Sequence, residues 1–303
     1  MLWYLFGCAF LQNPSTTTSE TISPHSTTQS GTTQNLSIPQ IPVDGLEFSS
    51  PYSTIVLRDD VPNIRSLYFV RDSGEIVLET SVNLEQPHIL EVPYTQAMFV
   101  SEVFVSAPIE SSLLIGLGGG AMVHYIHHYW PEQILDAVEI DPVIVDIAKN
   151  YFHVPYNQYI RLHIEDGFAF IHQAQTKGRT YDVIYMDAFL KPSNDTDSTG
   201  VPLRLKTLAF YEELQAILKP DGVVVFNINQ NNDINEDISN IAESFEQVWK
   251  LPIPRKGNII VVACTTKTNQ TTLQNRTTHL YEEKGISLGE WVQRLQVWSM
   301  EKK

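Results

Sequence analysis

The residues of this chain with the plainest chemistry are the glycine-rich stretch Leu113-Leu-Ile-Gly-Leu-Gly-Gly-Gly120 and the carboxylate of Glu139, in Ala137-Val-Glu-Ile-Asp141. An apolar run that ends in glycines lets the backbone turn sharply and come close to a ligand. A carboxylate at the end of the next apolar run can accept both hydroxyls of a ribose. Gly116, Gly118, Gly119 and Gly120 alone could serve a tight strand-to-helix connection and nothing more; Glu139 adds the ligand. The spacing is G-x-G-G-G rather than G-x-G-x-x-G, and no second nucleotide-binding half follows. A mononucleoside such as S-adenosylmethionine or a relative fits this layout better than a dinucleotide.

Two further carboxylates stand where strands are expected to end. Asp166 precedes Gly167 at the start of a helical stretch, a place where aspartate also serves as an N-cap. Asp187 closes Tyr185-Met-Asp187 and leads into a long polar loop, 191–200. A loop of that length after a core strand is often functional.

Such residues need a scaffold, and the pattern supplies one. Apolar runs at 112–115, 134–138, 160–164, 183–186 and 223–228 alternate with helix-length segments, the first at 121–129. Asp141-Pro142 opens a helix, with Asp at the N-cap and Pro in the first turn. Lys219-Pro-Asp-Gly222 reads as the turn between a helix and the next strand, and 257–265 as a last strand returning along the sheet edge. This alternation predicts a doubly wound, mostly parallel α/β sheet of Rossmann-like type, with ligands at the carboxyl ends of its strands. Upstream, β-rich runs at 54–57, 66–70 and 75–78, with turn residues between them, predict a small antiparallel sheet. A helix is expected over 93–105. The expected organisation is a tail over 1–45, a small β-domain over 46–90 and a nucleoside-binding domain over 91–303.

Composition bounds the partners. The chain has 303 residues, 43% of them hydrophobic, enough for one substantial core. A formal net charge of −15 argues against nucleic acid, whose phosphates need clustered Lys and Arg, and suits a cationic partner. The two cysteines, Cys8 and Cys264, lie in very different segments, so no disulfide is expected. No Cys or His spacing fits a metal site; His124, His127 and His128 share the first helix without a carboxylate pair beside them. The apolar head 1–11 is too short for a membrane span and lacks the basic residues of a signal peptide. The Ser/Thr/Gln/Pro tract 13–40 is expected to be disordered. A cytoplasmic location is the expectation. The alternative, suggested by Leu5-Phe-Gly-Cys8, is an exported lipoprotein anchored through Cys8, with the true start upstream.

From about residue 50 to 265 the chain resembles spermidine synthase-like proteins of the polyamine aminopropyltransferase superfamily. The residues that carry the resemblance are Pro93-Tyr94, the glycine loop, Val138-Glu-Ile-Asp141, Glu165-Asp-Gly167, Tyr181-Asp-Val-Ile-Tyr-Met-Asp187, Phe210-Tyr211 and Leu218-Lys-Pro-Asp-Gly-Val223. The resemblance implies a small N-terminal β-domain and a fold of class I methyltransferase type. It also implies roles. Glu139 would hold the ribose hydroxyls and Asp166, followed by Gly167, the adenine amino group. The glycine loop (Gly116, Gly118, Gly120) would lie beside the sulfonium tail. Asp187 would orient and help deprotonate the attacking amine, supported by Tyr94. No tightly bound cofactor is implied, only decarboxylated S-adenosylmethionine or S-adenosylmethionine as cosubstrate, with a small-molecule amine as acceptor. A homodimer is expected.

The departures bear on chemistry. The glycine loop reads Gly118-Gly-Gly-Ala121 where aminopropyltransferases carry G-G-G-D-G-G. Asp187 is followed by Ala188, Phe189 and Leu190 where they carry D-x-x-D, and a Tyr-His/Gln-Glu triplet has become Tyr94-Thr95-Gln96. Each lost carboxylate removes a partner for an ammonium group, so a diamine is expected to meet a single anionic partner and bind weakly. Three readings follow: aminopropyl transfer to an amine, methyl transfer from S-adenosylmethionine to a small molecule or protein, and a nucleoside-binding protein without catalysis.

Overall fold

The structure, a computed structural model, describes residues 44–254, 257–277 and 284–299. The expectations for the tail and for Cys8 therefore fall outside the described residues, apart from the tail's last two positions. These two open the first strand.

Four strands, β1 (Asp44–Ser49), β2 (Thr54–Val61), β3 (Ile64–Val70) and β4 (Ile76–Asn83), form an antiparallel meander in sequential order. Asn63 makes the β2–β3 turn with φ 65°, in the left-handed region that asparagine tolerates. Helix α1 (Pro93–Met98) follows, but the helix expected to reach 105 tightens into a 3-10 turn at Phe99–Val103. This stretch buries Phe99, Val100, Ser101 and Val103, so side chains go inward nearly all round it.

The second sheet contains β5 (Ser111–Ile115), β6 (Ile134–Glu139), β7 (Ile160–Ile164), β8 (Tyr181–Met186), β9 (Leu218–Asn229), β10 (Gln247–Pro252), β11 (Asn258–Cys264) and β12 (Gln296–Val297). Their order is β12-β10-β11-β9-β8-β5-β6-β7. The five strands from β7 to β9 run parallel, and β11, β10 and β12 continue antiparallel. The expected doubly wound sheet is present. Helices α2 (Ala121–Tyr129), α3 (Pro142–Tyr151), α4 (Gly167–Thr176), α5 (Leu208–Ala216) and α6 (Ile234–Ser244) connect or follow the parallel strands, with α7 (Gln270–Thr277) and α8 (Leu288–Arg294) after β11.

The strand pleat divides the core in two. Leu114, Tyr185 and Val225 join one hydrophobic cluster, while their neighbours Leu113, Ile184 and Val224 join the other. The first cluster also takes in Ile55, Leu57, Leu67 and Val82, so the small sheet closes one face of the large one.

The Lys219-Pro-Asp-Gly222 stretch differs from its reading as a turn ahead of a strand. It lies inside β9: Tyr181 pairs with Leu218 and Val183 with Val223, and the residues between bulge out, with Asp221 at φ 63°. The buried Asp182 carboxylate fills this place, accepting hydrogen bonds from the Ser111 amide (2.9 Å) and from Lys219 Nζ (2.9 Å).

Candidate active site

The chain winds from β5 to one side through β6 and β7, then crosses to the other side at β8. The carboxyl ends of β5 and β8 are thus the switch point where α/β sheets bind ligands. A cleft of about 890 Å³ opens there. Its walls include Gly116, Leu117 and Gly118 of the glycine loop with Glu139, Asp166, Gly167, Tyr94 and Asp187, whereas Gly120, expected beside the sulfonium tail, is outside the lining and faces Val154. The fold brings every polar side chain expected of the site to one cleft.

The glycine loop is fixed at both ends. The Gly116 amide donates to the Val138 carbonyl (2.9 Å), and Gly116 has φ 96°. A Cβ there would collide with the carbonyl oxygen of Asp187, so only glycine permits β5 and β8 to lie this close. The Gly119 amide donates to Thr80 Oγ1 (3.0 Å), which ties the loop to β4. Gly120 starts α2 in the left-handed region without a side-chain cap.

Glu139 uses both carboxylate oxygens to brace this turn. Oε2 accepts the Leu117 amide and Oε1 the Asp141 amide, each at 3.0 Å. Burial raises its pKa while these amides oppose the rise. Each oxygen retains a second lone pair able to accept a further hydrogen bond. Asp166 is the N-cap of α4, accepting the Ala169 amide (3.1 Å), and its other oxygen pairs with Arg204.

Asp187 follows β8 directly, its amide held by the Ile115 carbonyl (2.9 Å). Its carboxylate accepts Asn227 Nδ2 at 2.8 Å and the Tyr94 hydroxyl at 3.3 Å. Burial pushes the Asp187 carboxyl up to about 6 against these two hydrogen bonds. Burial, then the charges of Asp187 and Glu79, hold Tyr94 well above the usual phenol value, so it stays a neutral donor. Asn227 is oriented in turn by Asn258, whose amide donates to Asn227 Oδ1 (2.9 Å) and Asn229 Oδ1 (2.8 Å).

Sequence reasoning missed Asn227, Thr80, Arg204 and Glu79. Asn227 carries a readable signal, since Phe226-Asn-Ile-Asn229 places amides in an otherwise apolar strand. Thr80 and Glu79 come from the small sheet and carry none. Of the histidines, His124 is buried and bonded to the Phe152 carbonyl (2.9 Å), with burial lowering its pKa to about 4, and His128 stacks on His88.

The Spermine/spermidine synthase domain family model matches residues 92–275, which contain β5 to β11 and most of the cleft. The chain belongs to the spermine/spermidine synthase family. It is 31% identical over 233 residues to the polyamine aminopropyltransferase of Vibrio vulnificus (strain CMCP6), covering 76% of this chain and 75% of that protein. A shorter match, 30% identity over 154 residues, reaches the eEF1A lysine and N-terminal methyltransferase of Xenopus laevis, covering 50% of this chain and 22% of that one. The crystal structure of a probable spermidine synthase from Corynebacterium glutamicum ATCC 13032 superposes with a TM-score of 0.63 at 21% identity, over 84% of this chain and 90% of that chain. This family member is a transferase with a class I methyltransferase-like fold. Among its described residues no helix is long and apolar enough to cross a membrane.

Proposed function

We propose that the protein binds decarboxylated S-adenosylmethionine in this cleft and transfers its aminopropyl group to an amine. The supporting observation is the charge of the walls. Among the described residues five carboxyl side chains line the cleft (Glu79, Glu139, Asp141, Asp166 and Asp187), and the one cation beside them, Arg204, is already paired with Asp166. The decarboxylated nucleoside brings two positive charges and no carboxylate. Ordinary S-adenosylmethionine brings a carboxylate that would need a cation, and a desolvated charge without a partner is costly.

In this reading the acceptor loses its ammonium proton to Asp187, whose raised pKa suits it to take and pass on a proton near neutrality. Tyr94 and Asn227 hold the carboxylate in place. The amine lone pair then attacks the carbon attached to the sulfonium. A C–N bond forms as the C–S bond breaks, its electron pair returning to sulfur to leave neutral methylthioadenosine. The sulfonium is an activated leaving group, so positioning contributes most of the rate.

Methyl transfer remains the second reading, favoured by Ala121 where a loop carboxylate would recognise the aminopropyl ammonium. Calorimetry separates the two. Aminopropyl transfer expects decarboxylated S-adenosylmethionine to bind more tightly than S-adenosylmethionine and to yield methylthioadenosine when an amine is supplied. Tighter binding of S-adenosylmethionine, with methyl transfer to an acceptor, would overturn it.

A further inference from the structure

Consecutive residues of a strand face opposite sides of their sheet. Glu79 and Thr80 of β4 nevertheless both line the main cleft. The cause is a β-bulge: Leu67 pairs with Thr80 and Tyr68 with Leu78, which leaves Glu79 as the extra residue. Bulges re-aim side chains and are common beside active sites. Thr80 keeps hold of the glycine loop, and the bulge turns Glu79 to the same side.

Among the described residues no ion pair reaches the Glu79 carboxylate. The Tyr94 hydroxyl, with a single proton to donate, lies 3.3 Å from both the Glu79 carbonyl oxygen and Asp187 Oδ2. Asp187 lines the same cleft, and the two cations of the adjoining cavity are paired elsewhere, Arg71 with Glu75 at 3.0 Å and Lys191 with Asp72. Burial and the Asp187 charge push the Glu79 carboxyl up to about 8, with Arg71 opposing. Glu79 also borders a smaller adjoining cavity with Arg71, Phe189, Lys191 and Asn229. It thus stands where an elongated acceptor would leave the nucleoside cleft.

We propose that Glu79 is the second anionic anchor of the acceptor site: Asp187 faces the amine that attacks, and Glu79 holds the other ammonium of a diamine. It takes the place of the carboxylate missing from Asp187-Ala-Phe-Leu190, so the single anionic partner expected from the sequence becomes two. The identity of the reaction rests on the aminopropyl-transfer reading; the binding of the diamine does not.

The test is calorimetric titration of methylthioadenosine-loaded protein with 1,4-diaminobutane and with 1-aminobutane, for the parent, Glu79→Gln and Glu79→Asp. Glu79→Gln should weaken diamine binding by about 10–100-fold, the loss of one charge-assisted contact. It should leave monoamine and methylthioadenosine binding within about twofold. Glu79→Asp, which keeps the charge, should restore part of the preference for the diamine. Diamine binding near neutral pH should release protons from the parent and fewer from Glu79→Gln. Equal diamine affinity in parent and Glu79→Gln overturns the assignment. So does a parent that binds no diamine. A parent that binds the diamine through Glu79 and yet forms no aminopropyl product overturns the transfer reading alone.

Discussion

At the scale of the residue, the cleft sets carboxylates to different tasks by what each one touches. Asp187 is held by two neutral donors and raised to about 6, which leaves it able to exchange a proton. Asp187→Asn keeps the shape and removes the proposed base. Turnover should fall by about 10²–10⁴, the usual contribution of a positioned base, with methylthioadenosine affinity nearly unchanged. A smaller fall in single-turnover product formation would remove Asp187 from the proton path. Glu139 instead satisfies two backbone amides, and in the proposed reading it also receives the ribose. Glu139→Ala should cost methylthioadenosine about 1.5–3 kcal/mol for each charge-assisted hydrogen bond lost. Calorimetry showing parental affinity in that variant would refute the ribose assignment.

At the scale of the element, the loop after β8 is braced from behind. Lys206, at the end of the 3-10 turn Leu203–Lys206, pairs with Asp197 of the loop (3.0 Å) and Asp237 of α6 (2.6 Å). All three side chains are at least 84% buried, Lys206 being 16% exposed and the aspartates less. Asp197 also accepts the Thr199 and Val201 amides. Lys206→Met removes the one cation between two buried carboxylates, and breaking such a pair costs about 3–5 kcal/mol. The urea midpoint should drop accordingly. An unchanged midpoint would mean that the backbone hydrogen bonds alone hold the loop. Because Leu205 and Arg204 of the same turn line the cleft, nucleoside binding should weaken alongside stability.

At the scale of the molecule, the acidic cleft makes stability depend on pH in a definite direction. Glu79 is raised from 4.5 to about 8 and Asp187 from 3.8 to about 6. A carboxyl raised by folding contributes stability that is fully present below its ordinary value and lost as pH rises through its folded value. The parent should therefore lose stability relative to Glu79→Gln between pH 4.5 and about 8. The variant should melt with the parent near pH 4.5 and above it at the alkaline end. Melting curves whose difference stays flat across that window would contradict this. A bound dication should reverse the slope by pairing the carboxylates.

The sequence by itself determined the parallel sheet, the glycine loop and the three strand-end carboxylates. Alternating apolar runs and strand-to-helix punctuation are local signals, and the strand end dictates where each polar residue goes. The role of Lys219-Pro-Asp-Gly222 as an interruption inside β9 depended on Asp182 of the neighbouring strand, which no local pattern contains. Asn227 was within reach of a closer reading, because amides at the end of a buried strand demand partners. Glu79 was not. In sequence it is one glutamate in a β-rich run, and its side is set by a register shift against β3 and by the packing of the small sheet over the glycine loop. Whether Glu79 reaches the cleft was therefore decided only by tertiary structure, since it turns on which strands meet across it.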